Sequence, residues 1–153
     1  MATAESIRIR AAGIDDAIAI SALTTASTRR WITRACTKTG ARLLLSSMRP
    51  GPTQERLLQG YRYLVAEQDN RIVGVAAMRL PDHLYHLFVD DTVHRLGVAR
   101  RLWQALLEAE PRDRVTVNAA RNAIEAYLHL GFTRDGPERI SDGIPSTPMV
   151  WQR

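Results

Sequence analysis

Apolar and polar residues recur along the chain with two different periods, which separate strands from helices. Seven runs with strand character are Ser6–Arg10, Tyr61–Glu67, Arg71–Leu80, His83–Val89, Arg114–Val117, a run beginning at Phe132, and Thr147–Trp151. Four segments with helical spacing are Asp15–Ser27, a short one beginning near Thr53, Val98–Glu108 and Asn122–Leu130. Because strands and helices interleave without a repeat or a linker, the pattern predicts a three-layer domain of the α/β (α+β) class.

Glycine and proline indicate where the regular elements stop. Gly40, Pro50, Gly51 and Pro52 all fall within residues 37–53, and such residues are typical of loops. We therefore expect this segment to be the least regular part of the chain. Gly131 follows directly after an apolar helical run, so we expect it to end that helix in the left-handed conformation.

The composition is that of a globular protein, with 45% hydrophobic and 24% charged residues in a chain of 153. This length predicts one domain over residues 1–153, with a core that needs no disulfide or metal. The single cysteine, Cys36, excludes an internal disulfide framework and a cysteine-based zinc site. The longest apolar run, Ile72–Met78, is too short to span a bilayer. Since the N-terminus also lacks the layout of a secretory signal, we expect a cytoplasmic protein that binds no membrane.

Positive charge is concentrated in one segment of the chain. The sequence has 21 Lys and Arg against 16 Asp and Glu, a net charge of +5 with a pI near 10.1. Eight basic residues and one acid, Glu55, lie between Arg29 and Arg62. Such a segment could attract an anionic ligand or nucleic acid, but a solvated helical face explains it more simply. We favour the solvated face, and because few aromatic residues interleave with the basic ones we do not expect nucleic-acid binding.

The chemistry of the chain is concentrated where the strand ending at Val89 passes through a basic turn into a helix. Main-chain N–H groups at a helix start lack partners within the helix and carry partial positive charge, which suits a diphosphate. Gly97 allows the backbone to approach a ligand closely, small Ala99 leaves the next turn open, and Arg95 and Arg100 add positive charge. The turn is neither a Walker loop nor a three-glycine dinucleotide fingerprint.

Two blocks of sequence resemble the GNAT superfamily of N-acetyltransferases. The run His94-Arg95-Leu96-Gly97-Val98-Ala99 is similar to the Gln/Arg-x-x-Gly-x-Gly/Ala signature that holds the diphosphate of acetyl-CoA in that family. The segment Val117–Phe132 is similar to the family's strand, Asn-rich turn and Ala-Ile-x-x-Tyr-x-x-x-Gly-Phe helix. The order and spacing of the blocks match over Tyr61–Trp151. Before Tyr61 only the layout matches.

This resemblance implies a fold and a set of coenzyme contacts. It implies a mixed sheet of six to seven strands, splayed between the fourth and fifth strands, with about four flanking helices and the pantetheine arm lying in the gap. The implied pantetheine contacts are Leu87, Phe88 and Val89. The implied diphosphate contacts are Arg95, Leu96, Gly97, Val98, Ala99 and Arg100. Two residues depart from the family pattern. His94 occupies the first position of the signature, where Gln or Arg is usual, and Ala120 stands where many members have a coenzyme-binding Asn. Asn118 or Asn122 could replace that Asn, although both also suit turn and N-cap positions.

The resemblance also assigns roles in acetyl transfer. Tyr127 matches the family's proton donor to the coenzyme sulfur, and a phenol stays protonated at neutral pH. His83 is our candidate base, because imidazole suits deprotonation near neutral pH. His86 lies three residues further on and is therefore expected on the opposite face of the strand. Glu67 with a water chain is the alternative base, and we interpret His129 as a surface residue.

The predicted reaction is direct transfer to the primary amine of a small molecule or peptide, with acetyl-CoA as co-substrate and no metal. Cys36 has no evident base beside it, so we do not expect an acyl-enzyme. Residues 27–60 and 137–146 should frame the amine site, and their positive charge favours an amino acid or an acidic acceptor over a polyamine. A coenzyme-binding regulatory module without turnover is the main alternative, followed by a nucleic-acid binder. The last strand could support formation of a homodimer.

Overall fold

The structure is a computed structural model that describes residues 6–153. The strands are β1 (Arg8–Ala11), β2 (Tyr61–Gln68), β3 (Arg71–Arg79), β4 (His83–Val89), β5 (Arg114–Ala119), β6 (Thr133–Arg134), β7 (Arg139–Ser141) and β8 (Ile144–Gln152). The α-helices are α1 (Ala17–Ser27), α2 (Lys38–Ser47), α3 (Pro50–Leu58), α4 (Val98–Ala109) and α5 (Ile124–His129). None of the helices in this described part is long and apolar enough to cross a membrane.

The strands form one mixed sheet that splits near its middle. Its order is β1-β2-β3-β4-β5-β8-β6, with β7 paired to β8, and all neighbours are antiparallel except β4 and β5. The parallel pairing of β4 with β5 joins only His83 to Thr116 and Leu84 to Val117. Beyond Leu84 the two strands diverge, so the remaining main-chain edge of β4 has no strand partner on that side. The predicted splay between the fourth and fifth strands is therefore confirmed.

Helices cover both faces of the sheet and create two hydrophobic cores. The larger core lies under α4 and α5 and includes Leu84, Leu102 and Phe132. The smaller core lies under α1 and α3 and includes Ile20, Tyr63 and Val75. Each large apolar side chain buried in such a core stabilises the fold by about 1.5–3 kcal/mol. The predicted three-layer α/β arrangement is thus confirmed.

The expectation of an irregular segment over residues 37–53 is wrong, because α2 and the start of α3 lie there. Pro50 is the first residue of α3, where the missing N–H has no helical partner to lose. Gly40 sits in the first turn of α2 for a packing reason: a Cβ there would lie 2.5 Å from the Gly143 carbonyl oxygen. The Thr37 N–H donates to the same carbonyl at 2.9 Å. We call these contacts of Thr37 and Gly40 with Gly143 the glycine brace.

The other difference from the predicted layout is at the C-terminal end. The sequence predicts up to seven strands, and the eighth is β7, which forms a hairpin with β8 through Asp142 and Gly143. Both turn residues have positive φ, 51° for Asp142 and 77° for Gly143. The sequence pattern therefore missed two elements, the strand β7 and the helix α2.

Replacing Gly40 by alanine should destabilise the protein by about 1–3 kcal/mol, because the new methyl group collides with backbone at the glycine brace. Alanine is otherwise the better helix former by about 1 kcal/mol. Gly51→Ala in α3 is the matched control, since a Cβ there has no atom within 4 Å, and it should leave stability unchanged or raise it. Urea unfolding of both variants tests this. A Gly40→Ala protein as stable as the parent would show that the backbone at Gly143 can move to accommodate a methyl group without loss of stability.

Candidate active site

A cleft of about 1110 Å³ opens where β4 and β5 diverge. Its walls come from β4, the start of α4, α5, the end of β5, and the segments around α2 and the β7–β8 turn. All but one of the sequence-predicted site residues line it: His83, Leu87, Phe88, Val89, Arg95, Gly97, Val98, Ala99, Arg100, Asn118, Asn122 and Tyr127. Leu96 is the exception, since its side chain packs against the larger core.

One end of the cleft is the N-terminus of α4, a helix of 12 residues. The chain reaches it through a tight loop in which Arg95 and Gly97 have positive φ, 68° and 73°. The first N–H groups of α4, at Val98 to Arg100, have no partner within the helix and adjoin the cleft. The side chain of Arg100 donates to the carbonyl of His129 at 2.8 Å, which joins this helix start to the end of α5. Unpaired backbone N–H groups and two arginines together have the chemistry that suits an anion, and we call this end of the cleft the anion site.

Tyr127 lies on α5 and lines the middle of the cleft. The side chain is 7% exposed and its ring packs edge-on against Phe132, with centroids 5.3 Å apart. Burial raises the pKa of the Tyr127 phenol far above its ordinary value, so the hydroxyl keeps its proton throughout the physiological range. Asn118 and Asn122 lie nearby with exposed side chains.

The other end of the cleft is lined by aromatic and apolar side chains. We call it the aromatic lobe and define it by Trp31, Ile32, Leu44, Tyr85, His86 and Phe88. Trp31 and Ile32 belong to a π-helical turn, Thr28–Ile32, that continues α1. The Trp31 indole N–H donates to Asp91 at 3.2 Å, and the Arg30 guanidinium pairs with the same carboxylate at 3.0 Å. Asp91 thereby ties this wall of the cleft to the loop that precedes α4.

A β-bulge decides where the histidines of β4 point. Ala77 pairs with His86 and Met78 with Leu84, so Tyr85 is an extra residue on β4. The extra residue places Tyr85 and His86 on one face, where their rings lie 4.5 Å apart. His83 also lines the cleft. The expectation that His83 and His86 face opposite sides of the sheet is therefore wrong, because it assumed unbroken alternation.

The two histidines differ in their surroundings. His83 is half-buried and its Nδ1 lies 2.8 Å from the Thr116 hydroxyl. Burial, helped by nearby Arg79, lowers the pKa of His83. His86 is 4% exposed, and its Nε2 has no hydrogen-bond partner among residues 6–153. Burial, with a contribution from Arg56, lowers the pKa of His86 to about 3, so both rings are neutral at pH 7.

Glu67, the alternative base that would act through a water chain, does not line the cleft and is held in an ion pair. Its carboxylate accepts from Arg10 at 2.7 Å, and Arg10 also pairs with Asp16 at 2.8 Å. Both acids and Arg10 line a separate, smaller depression of about 680 Å³ beside α1. His129 is exposed at the rim of the cleft, with Nδ1 2.7 Å from the Glu125 carbonyl, which agrees with its interpretation as a surface residue.

The arginine-rich segment contributes no basic side chain to the cleft. Its eight basic residues are absent from the lining within residues 6–153. Arg56 lies one layer behind the lobe: its Nε donates to the Tyr63 hydroxyl at 2.9 Å and its guanidinium lies 5.2 Å from the Tyr85 ring centroid. Arg62 pairs with Glu110 at 3.0 Å on the far side of β2. The predicted preference for acidic substrates is therefore not supported by any of these basic side chains in the aromatic lobe.

The sequence was compared with models of known protein families. The family model described as an acetyltransferase (GNAT) domain matches residues 32–153. The chain belongs to this family. A search of the curated proteins found no significant relative.

Solved structures of GNAT proteins have the same fold. A GCN5-related N-acetyltransferase from Rhodopseudomonas palustris is 23% identical, with a TM-score of 0.81 over 100% of this chain and 98% of its own. The PaiA N-acetyltransferase of Thermoplasma acidophilum, solved with coenzyme A, is 13% identical with a TM-score of 0.77 over 97% and 99%. YncA from Salmonella typhimurium, a putative acetyltransferase solved with acetyl-CoA, is 20% identical with a TM-score of 0.64 over 95% and 93%. At these identities the likeness establishes the fold.

Several residues of this GNAT cleft were not singled out by the sequence. The predicted frame of residues 27–60 and 137–146 does contribute to the lining, but Trp31, Leu44 and Asp142 were not named individually. His86 was assigned to the wrong face. The available signal was the run Leu84-Tyr85-His86-Leu87-Phe88, whose apolar residues do not alternate and so indicate an irregular strand.

Proposed function

We propose that this GNAT protein transfers the acetyl group of acetyl-CoA to a primary amine of a small molecule or peptide, by direct attack while both substrates are bound. The observation that carries the proposal is the continuous cleft, which runs from the N-terminus of α4 along the unpaired edge of β4 to the buried Tyr127. Each part of acetyl-CoA has a chemically matched surface along that path.

The residues present fit the coenzyme. The edge of β4 at Leu87 to Val89 offers main-chain groups without a strand partner, which the amides of the pantetheine arm would satisfy as a substitute strand. The N–H groups of Val98, Ala99 and Arg100, with the Arg95 side chain, would hold the diphosphate. Coenzyme A and acetyl-CoA bound to the Thermoplasma and Salmonella proteins support this assignment.

Tyr127 would act as the proton donor. Tyr127 lines the cleft, and its phenol is protonated at neutral pH, so it has a proton to donate to a departing thiolate. A main-chain N–H near Val89, at the end of β4, would polarise the thioester carbonyl.

The other roles follow from position and protonation. His83 would accept a proton at Nε2 when its Nδ1–H donates to the Thr116 hydroxyl. Cys36 does not line the cleft, its Sγ lies 3.6 Å from the Ile32 carbonyl, and burial raises the pKa of the thiol. These properties oppose a nucleophilic cysteine and support transfer without an acyl-enzyme.

The experiment is release of free coenzyme A thiol from acetyl-CoA, followed with a thiol reagent in the presence and absence of a broad amine panel. Amine-dependent release, with the acetylated amine identified by mass, is the expected result. Tight binding of acetyl-CoA with no amine-dependent release would contradict the proposal. It would favour the regulatory module, an alternative that is motivated by the departures from the family pattern at His94 and Ala120.

A further inference from the structure

The aromatic lobe has no counter-ion for a charged amine. Among the described lining residues of the cleft the only carboxylate is Asp142, which lies exposed in the β7–β8 turn. An ammonium group brought into a lobe of aromatic and apolar side chains would lose hydration without gaining an ion pair, which is costly.

The rings of the lobe do not compensate for this lack, although aromatic faces often bind cations. Two of them already carry a cation. The guanidinium of Arg56 lies 5.2 Å from the Tyr85 ring centroid, and that of Arg30 lies 5.0 Å from the Trp31 ring centroid. A second positive charge beside either ring would be repelled by the arginine already in place.

The lobe does offer one unused hydrogen-bond acceptor. The His86 ring bonds to the Tyr85 backbone, and because Nε2 has no partner within residues 6–153 that bond is made by Nδ1. In the tautomer that carries the hydrogen on Nδ1, Nε2 of His86 presents a lone pair that no group within residues 6–153 uses. The ring is fixed in this position by edge contacts to Tyr63 and Phe88, at 6.1 and 5.3 Å between centroids. A buried acceptor without a donor is destabilising, and a ligand N–H would relieve it.

We propose that the amine substrate is one that is uncharged at neutral pH and carries an aromatic body, as arylamines do, with an N–H donated to Nε2 of His86. This inference rests on the proposed function and specifies its second substrate. The amine lone pair in an arylamine is delocalised into the ring, which keeps the nitrogen unprotonated, and an aromatic body suits a lobe that is lined by Trp31, Tyr85 and Phe88.

The protons balance for such a substrate without a strong base. The amine nitrogen forms a bond to the thioester carbon, the carbon–sulfur bond breaks, and the sulfur takes the proton of Tyr127. Tyr127 then regains a proton from the N–H that the new amide no longer keeps. Net, one proton moves from nitrogen to sulfur. An alkylammonium would first have to lose an additional proton, and burial weakens His83 and His86 as bases for that step by lowering their pKa values.

Two isomeric amines of equal size test the inference: 4-methylaniline, neutral at pH 7, and benzylamine, charged at pH 7. With acetyl-CoA saturating, kcat/KM at pH 7 should favour 4-methylaniline by about tenfold or more, since only a small fraction of an alkylamine with a pKa near that of lysine is neutral there. Between pH 7 and pH 9 kcat/KM for benzylamine should rise by about tenfold per pH unit, while that for 4-methylaniline stays flat.

His86 variants test the proposed contact. His86→Phe removes the acceptor and should raise KM for 4-methylaniline by about tenfold, the effect of one lost hydrogen bond, without changing the Kd of acetyl-CoA. His86→Gln restores an acceptor and should recover part of the loss, which a purely structural role would not predict. Melting temperatures check that each variant folds.

The outcomes separate the inference from the function on which it rests. Equal use of the two amines at pH 7, preference for a polyamine, or an unchanged KM in His86→Phe overturns the arylamine assignment while acetyl transfer stands. Absence of thiol release with every amine overturns the proposed function, and the inference falls with it.

Discussion

Tyr127→Phe should lower kcat for amine-dependent thiol release by roughly 10²–10⁴-fold, the usual contribution of a positioned proton donor. The substitution removes one oxygen atom from a ring that is 7% exposed and packed against Phe132. The hydroxyl has no hydrogen-bond partner among residues 6–153, so no side-chain hydrogen bond within this part of the chain is lost with it. Acetyl-CoA affinity and the melting temperature should therefore remain those of the parent. Initial rates at saturating substrates, with calorimetric titration of acetyl-CoA, measure the two quantities separately.

Tyr61→Phe is the control for this substitution. Tyr61 is half-buried on β2, packs edge-on against Tyr85 with centroids 5.2 Å apart, and does not line the cleft. It should leave turnover unchanged. If Tyr127→Phe retained activity within about twofold of the parent, Tyr127 would have only a packing role, since loss of a true donor costs far more.

The second large effect is expected at the anion site. Gly97→Glu should abolish measurable acetyl-CoA binding. The position adopts φ of 73°, which disfavours any side chain, and a carboxylate at the N-terminus of α4 would occupy and repel the diphosphate. A Cβ at Gly97 has no atom within 4 Å, so the variant should still fold. Calorimetric titration of acetyl-CoA, with circular dichroism as a check on folding, measures the loss.

Gly60→Glu is a matched control for Gly97→Glu. Gly60 has φ of 82°, and a Cβ there also has no atom within 4 Å, but the residue lies outside the cleft. The same backbone strain and the same added charge should therefore leave acetyl-CoA affinity unchanged. Equal losses of affinity in the two variants would show that strain or net charge, and not occupation of the anion site, causes the effect.

Local sequence was sufficient for the parts of the molecule that local physics determines. The hairpin of β2 and β3 follows from Gln68-Asp69-Asn70, and Asp69 and Asn70 adopt the positive φ that such residues tolerate. The start of α4 at Val98 follows from Gly97 and the amphipathic run after it. Gly131, with φ of 99°, ends the helical segment as its position predicts. These features give the end of the cleft near α4 its residues and their order.

Long-range packing determines the parts that were missed. Gly40 indicates a loop when read locally, yet it lies in a helix because the Gly143 carbonyl leaves no room for a Cβ. The bulge at Tyr85 comes from the register between β3 and β4 and brings His83 and His86 onto one face of the cleft. Nothing near Glu67 in the sequence indicates that Arg10 engages it. The aromatic lobe depends on the helix that contains Gly40 and on the bulge at Tyr85, so its composition could not be predicted from the local sequence.

The glycine brace gives the two halves of the splayed sheet a second connection, in addition to the pairing of β4 with β5. Strands β1–β4 and β5–β8 are joined at one end of the gap by the short pairing at His83 and Leu84, and again through α2 by the bond from Thr37 to Gly143. Widening the gap would break that second tie, so its span is held by main chain and not by adjustable side chains. In the proposed reaction we expect this contact to favour a small amine or a flexible chain end as the acceptor, because a residue embedded in a rigid protein surface would bring its neighbours against the contact.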